Sequence, residues 1–131
     1  MAAYPQTLSR TGLKAHRESL SLPFPELVSR LVALIGRKLT AYVAGVKDAR
    51  AIDRWKEGNA PYRDVESRLR FTFQVVRTLR DHDSPRVIQA WLTGVNPELG
   101  DRVPLRLLRD GDLHTIAPQV LGAARAFIAG G

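Results

Sequence analysis

The sequence predicts an all-α protein, and three observations lead there. No stretch alternates apolar and polar residues as a half-buried strand would. Apolar residues instead recur three and four positions apart in successive segments, the spacing that gathers side chains on one face of a helix. Pro and Gly fall between those segments, where helices begin and stop. A chain of 131 residues with 44% hydrophobic and 25% charged content is long enough, and apolar enough, to bury a core of its own.

In chain order, residues 1–23 are weakly periodic and end at Leu22-Pro23-Phe24-Pro25, which suggests a loosely ordered arm with a helical turn or two around 6–18. The first clear helix starts after Pro25, whose missing N–H costs nothing at a helix start, and carries Leu27, Leu31, Leu34 and Ile35 to Gly36. A second, about 37–45, holds Leu39 and Val43 and stops at Gly45, a C-cap residue type. Asp48 is placed to cap a third helix with Ala51, Ile52 and Trp55 inside, ended by Gly58 and Pro61. The longest helix is expected over about 62–81, with Val65, Leu69, Phe73, Val76 and Leu79 on one stripe. Ser84-Pro85 opens the next, with Val87, Ile88, Trp91 and Leu92, closed at Gly94. Pro97 and Pro104 bracket a connector, and Pro104 starts a short helix through Leu105, Leu107 and Leu108. After Gly111-Asp112 a last helix aligns Leu113, Ile116, Val120, Ala124 and Phe127, and Pro118 inside it is expected to kink it.

Composition narrows the function. There is no cysteine, which rules out disulfides and thiolate chemistry. The histidines, His16, His82 and His114, lie in three different segments without carboxylates at metal-ligand spacing, Gly94, Gly100 and Gly111 are isolated turn glycines, and no serine sits in a nucleophile-elbow context. Asp110 and Asp112 flank a glycine before a helix, where capping accounts for them. The expectation is a protein that is not an enzyme and uses no cofactor or metal. No signal-peptide core and no run of roughly 20 apolar residues is present, so a cytoplasmic protein without membrane contact is expected.

The net charge of +7 favours a polyanionic partner. It is unevenly placed: residues 36–70 carry nine Lys/Arg against five Asp/Glu, whereas residues 90–131 carry four of each. The basic part coincides with two short helices joined at Gly45-Val46-Lys47, the arrangement of a helix-turn-helix. In that motif Lys47, Arg50 and Arg54 would reach base edges or phosphates, and Arg37, Lys38 and Lys56 would hold the backbone. Asp53 is unfavourable there unless it pairs with Arg50 or Arg54, and the Gly45-to-Trp55 spacing is one residue longer than usual. A helical hairpin that keeps the shape without binding DNA stands as the alternative.

Three stretches in one order carry a resemblance: AIDRWKEGNAP from Ala51, AWLTGVNPELGDRVPLRLLRDGD from Ala90, and the closing GAARAFIAGG. Trp91, Asn96-Pro97 with Leu99, Pro104 with Leu107-Leu108, and Asp110-Gly111-Asp112 are its specific elements. Over residues 25–131 the chain resembles the Xre/MbcA/ParS-type antitoxin family, the antitoxins of RES–Xre type II toxin–antitoxin modules. The resemblance implies an Xre-like helix-turn-helix bundle over 24–82, behind the arm at 1–23, and a small helical toxin-binding domain over 83–131. It implies a RES-domain, NAD-consuming toxin as partner, its active-site cleft covered by the antitoxin's C-terminal region. It further implies repression of the module's own operon through operator DNA, and a homodimer or higher oligomer within the complex. The toxin-facing residues on this reading are Arg109, Asp110, Asp112, Arg125, Phe127, Ile128, Gly130 and Gly131. Phe127 and Ile128 would anchor the contact and the terminal glycines are slim enough for a cleft; alternatively Phe127 closes the chain's own core. A stand-alone Xre-type transcription regulator is the second functional reading, and a scaffold that has lost both partners a third.

Overall fold

A computed structural model describes residues 10–130 and is all-helical, with no strand among those residues. The helices are α1 (Arg10–Ser21), α2 (Phe24–Ala44), α3 (Arg50–Lys56), α4 (Arg63–Arg80), α5 (Pro85–Thr93), α6 (Pro104–Asp110) and α7 (Leu113–Gly130), with a 3-10 turn at Pro97–Leu99 between α5 and α6. The loosely ordered arm gives way over Arg10–Ser21 to a regular helix. Residues 1–9 and Gly131 lie outside the described part. The helix leaves little apolar signal in sequence, because the face it buries carries the small Ala15 and Ser19 and polar contacts add to the docking. Arg70 of α4 donates to the Ser19 and Leu22 carbonyls at 3.1 and 2.9 Å, and Arg77 binds Glu18 at 3.0 Å.

α2 is two helical pieces joined end to end. Gly36 breaks it with φ 90° and ψ 160°, the point at which the sequence separates two helices. Gly45 then closes the second piece in the left-handed conformation, donating to the Ala41 and Tyr42 carbonyls. α4 packs against α1, α2, α5, α6 and α7. Its buried face, Leu69, Thr72, Phe73, Val75, Val76, Thr78 and Leu79, is therefore wider than one stripe. Thr72 and Thr78 are buried without penalty because each hydroxyl donates to a carbonyl one turn back, at 2.8 Å.

Ser84 caps α5 as its sequence suggests, accepting from Val87 N–H at 3.3 Å. Val87 itself is exposed, so only Ile88, Trp91 and Leu92 face inward. Pro118 leaves α7 a single helix from Leu113 to Gly130. Pro118 removes the N–H that would have met the His114 carbonyl, and both residues are exposed, on the side of α7 turned away from the core. One hydrophobic cluster runs from Phe24 and Leu27 through Ile52, Phe73 and Leu92 to Leu108 and Ala124. The boundary at 82/83 thus separates two stretches of chain that share a single core.

Candidate functional site

The basic face is built on the second piece of α2, the Gly45 turn and α3. Ala51, Ile52 and Trp55 are buried, and Trp55 packs against Phe24 with ring centroids 6.1 Å apart. Arg50, Asp53, Arg54 and Glu57 are left exposed on the outer side of the helix. Asp48 holds the entry to α3: one carboxylate oxygen accepts Arg50 N–H at 2.9 Å and the other the Arg50 guanidinium at 2.7 Å. That side-chain hydrogen bond keeps the Asp48 carboxyl below its ordinary value and raises Arg50 in turn.

Two of the six cations assigned to DNA are therefore engaged within the fold. Arg50 is held by Asp48, and Arg37 binds Asp53 at 2.9 Å and the Ala49 carbonyl at 3.3 Å, clamping α3 onto α2. Asp53 is neutralised by Arg37 rather than by Arg50 or Arg54, a pairing invisible to a scan of neighbouring positions because it spans sixteen residues. Lys38, Lys47, Arg54 and Lys56 are exposed and make no ion pair among the described residues.

The residues assigned to a toxin fall in two places. At the α6–α7 corner, the Arg109 guanidinium lies over the Tyr42 ring at 4.5 Å and stands 3.5 Å from Asp110. Asp112 caps α7, one oxygen accepting from Thr115 N–H at 3.1 Å and from the Thr115 hydroxyl at 2.8 Å. The Thr115 hydroxyl and then its amide hold the Asp112 carboxyl below the usual value. Phe127, Ile128 and Gly130 lie near the far end of α7, about 25 Å away at 1.5 Å per residue. The corner and the C-terminal end do not form one cluster. Arg125 is exposed, Ile128 packs partly against the core, and Gly131 lies outside the described residues.

At that far end the resemblance-bearing connector meets α7. Trp91 packs against Phe127 with centroids 6.4 Å apart, and both line a groove of about 470 Å³ with Val95, Asn96, Pro97, Glu98, Ala123, Ala126 and Gly130. Phe127 is half-buried, so it belongs in part to the chain's own packing and in part to the groove. The connector is firmly tied. Asn96 Oδ1 accepts Glu98 N–H at 2.9 Å, Asn96 N–H donates to the Arg102 carbonyl at 3.1 Å, and Gly100 and Asp101 turn the chain with φ 66° and 64°. Arg102 donates to the Leu99 carbonyl at 2.6 Å and to Gln119 of α7 at 3.0 Å, fixing the connector to the helix that forms the opposite wall. Val95, Glu98, Ala123 and Ala126 carry no sequence signal for this role, because a lone valine in a connector and alanines on a helix are unremarkable until folding places them together.

No helix among the described residues is long and apolar enough to cross a membrane. Comparison with protein-family models, with curated proteins and with solved structures found no match to the chain.

Proposed function

We propose that the chain is a non-enzymatic, cytoplasmic antitoxin of a type II toxin–antitoxin module, which binds and neutralises a RES-domain, NAD-consuming toxin through its C-terminal half. One observation carries the reading. Trp91, Asn96 and Pro97, residues of the stretch that resembles the Xre/MbcA/ParS-type antitoxins, converge with Phe127 of the last helix on one apolar groove. Half-buried Phe127, backed by the buried Trp91 and flanked by exposed Val95 on a rigid frame, is the kind of surface from which protein contacts draw their energy. Neutralisation on this reading is steric: the C-terminal end of α7 lies across the toxin's cleft and keeps substrate out. No covalent step by the antitoxin is needed.

The test is co-expression with the protein encoded by the adjacent gene. The expected result is a RES-domain neighbour that forms a stable, oligomeric complex with this chain and stops consuming NAD. A neighbour of another kind, or a RES protein that stays free and active, overturns the proposal.

A second reading, an Xre-type DNA-binding regulator, is favoured by the unpaired Lys38, Lys47, Arg54 and Lys56, and it accommodates repression of the module's own operon. Glu57, exposed just beyond the end of α3 and without an ion pair among the described residues, opposes it, since it would face phosphate. The double variant Arg54→Ala/Lys56→Ala is expected to weaken operator binding and to flatten its logarithmic salt slope by about 2, at about 0.9 per lost phosphate contact. Unchanged binding by that variant would remove α3 from the interface.

A further inference from the structure

The groove beside Phe127 has a chemistry of its own. We propose that it is the primary docking site for the toxin, ahead of the Asp110–Asp112 corner, and that it takes a toxin segment presenting an apolar side chain next to a lysine or arginine. The inference rests on the antitoxin reading and narrows it to one surface and one kind of complement.

The apolar half of the complement follows from the lining. Trp91 and Phe127 form an aromatic wall, Pro97 and Ala126 add carbon surface, and Val95 stands 70% exposed beside them. A volume of about 470 Å³ falls within the usual range of roughly 300–1,000 Å³ for binding pockets. A small-molecule site would need several convergent polar groups to orient its ligand. Here Asn96 is largely buried with its Oδ1 already used by the Glu98 N–H, and the Glu98 carboxylate is the one charged side chain among the described residues of the lining.

The basic half follows from Glu98. Its carboxylate is exposed and makes no hydrogen bond or ion pair among the described residues, on a chain whose net charge is +7. Nucleic acid is disfavoured, because its phosphates would meet that carboxylate and an otherwise apolar wall. A cation beside an apolar anchor satisfies both features at once. The frame is also pre-organised: the bonds from Arg102 to Gln119 and to the Leu99 carbonyl hold the two walls, so little ordering remains to be done on binding.

The test compares the full-length chain with its Val95→Asp and Glu98→Lys variants for affinity to the adjacent-gene RES toxin and for relief of NAD consumption. Both positions are exposed, so unfolding midpoints are expected to stay at the wild-type value. Toxin affinity is expected to fall about tenfold or more for each, and Asp110→Ala to change it less. A Lys/Arg→Glu change in the toxin segment is expected to restore binding to Glu98→Lys alone. Wild-type affinity in both variants overturns the inference, and so does a variant that only converts the free chain from dimer to monomer, since the groove would then hold a second copy. If the wild-type chain itself fails to bind, it is the antitoxin reading that falls.

Discussion

Asp112 shows how one side chain is committed before any partner arrives. Its carboxylate satisfies the start of α7 through Thr115, and the same bonds hold its pKa below the ordinary value of 3.8. A carboxylate whose folded pKa is depressed contributes stability that is fully present above the unfolded value and is lost as pH falls through it toward the lower folded one. Asp112→Ala is therefore expected to lower the urea midpoint at neutral pH, and the gap to wild type to close on acidification below 3.8. A gap that persists in acid would show that the cap is not the cause. The capping role was legible from Gly111-Asp112 preceding an apolar run. The engagement of Arg37 was not, since it depends on where α2 and α3 meet.

Among the elements, the punctuation carried most of the information. Gly36, Gly45, Ser84, Pro97 and Pro104 each mark a boundary that the fold keeps. Sequence periodicity suggests only a turn or two of α1, because the face it buries is made of the small Ala15 and Ser19 and its remaining ties are polar, from Arg70 and Arg77 of α4. The groove is half legible in the sequence: Trp91, Asn96-Pro97 and Phe127 stand out there, whereas Val95 and Glu98 acquire meaning only once α7 lies alongside. Two glycines are expected to resist substitution for different reasons. Gly36→Ala places a side chain at φ 90° and ψ 160°, a region essentially confined to glycine, with open space around it, and should cost about 1–3 kcal/mol of backbone strain. Gly111 has an ordinary φ, yet a Cβ there would meet Ile116 Cγ2 and the Leu107 carbonyl at 2.7 Å, so Gly111→Ala should cost about 1–3 kcal/mol through overpacking at the α6–α7 corner. Chemical denaturation of each variant checks both values.

For the molecule as a whole, the single core governs behaviour. A division at residue 82 places Phe73 and Leu79 on one side and Leu92, Leu105 and Leu108 on the other, although all belong to one buried cluster. Thermal unfolding is expected to be one transition, coincident by far-UV circular dichroism and by hydrogen exchange in α3 and α7. Leu108→Ala, at a fully buried position, should cost about 2–5 kcal/mol and destabilise α3 and α7 together. Two separated transitions would mean that the halves fold independently. All-helical architecture was readable in the sequence, from spacing alone. The shared core was not, because apolar stripes reveal that a face is buried without naming what buries it.

The two aromatic pairs have a further consequence. Phe24–Trp55 and Trp91–Phe127 divide the chain's two tryptophans, one beneath the basic face and one at the groove. Each indole is an optical reporter for its own surface. With Trp55→Phe, tryptophan emission comes from the groove alone; with Trp91→Phe, from the basic face alone. A toxin that seats against Phe127 should shift the first spectrum and spare the second, and a bound duplex should do the reverse. The chain thus carries a label-free means of reading its two surfaces separately in the same titration.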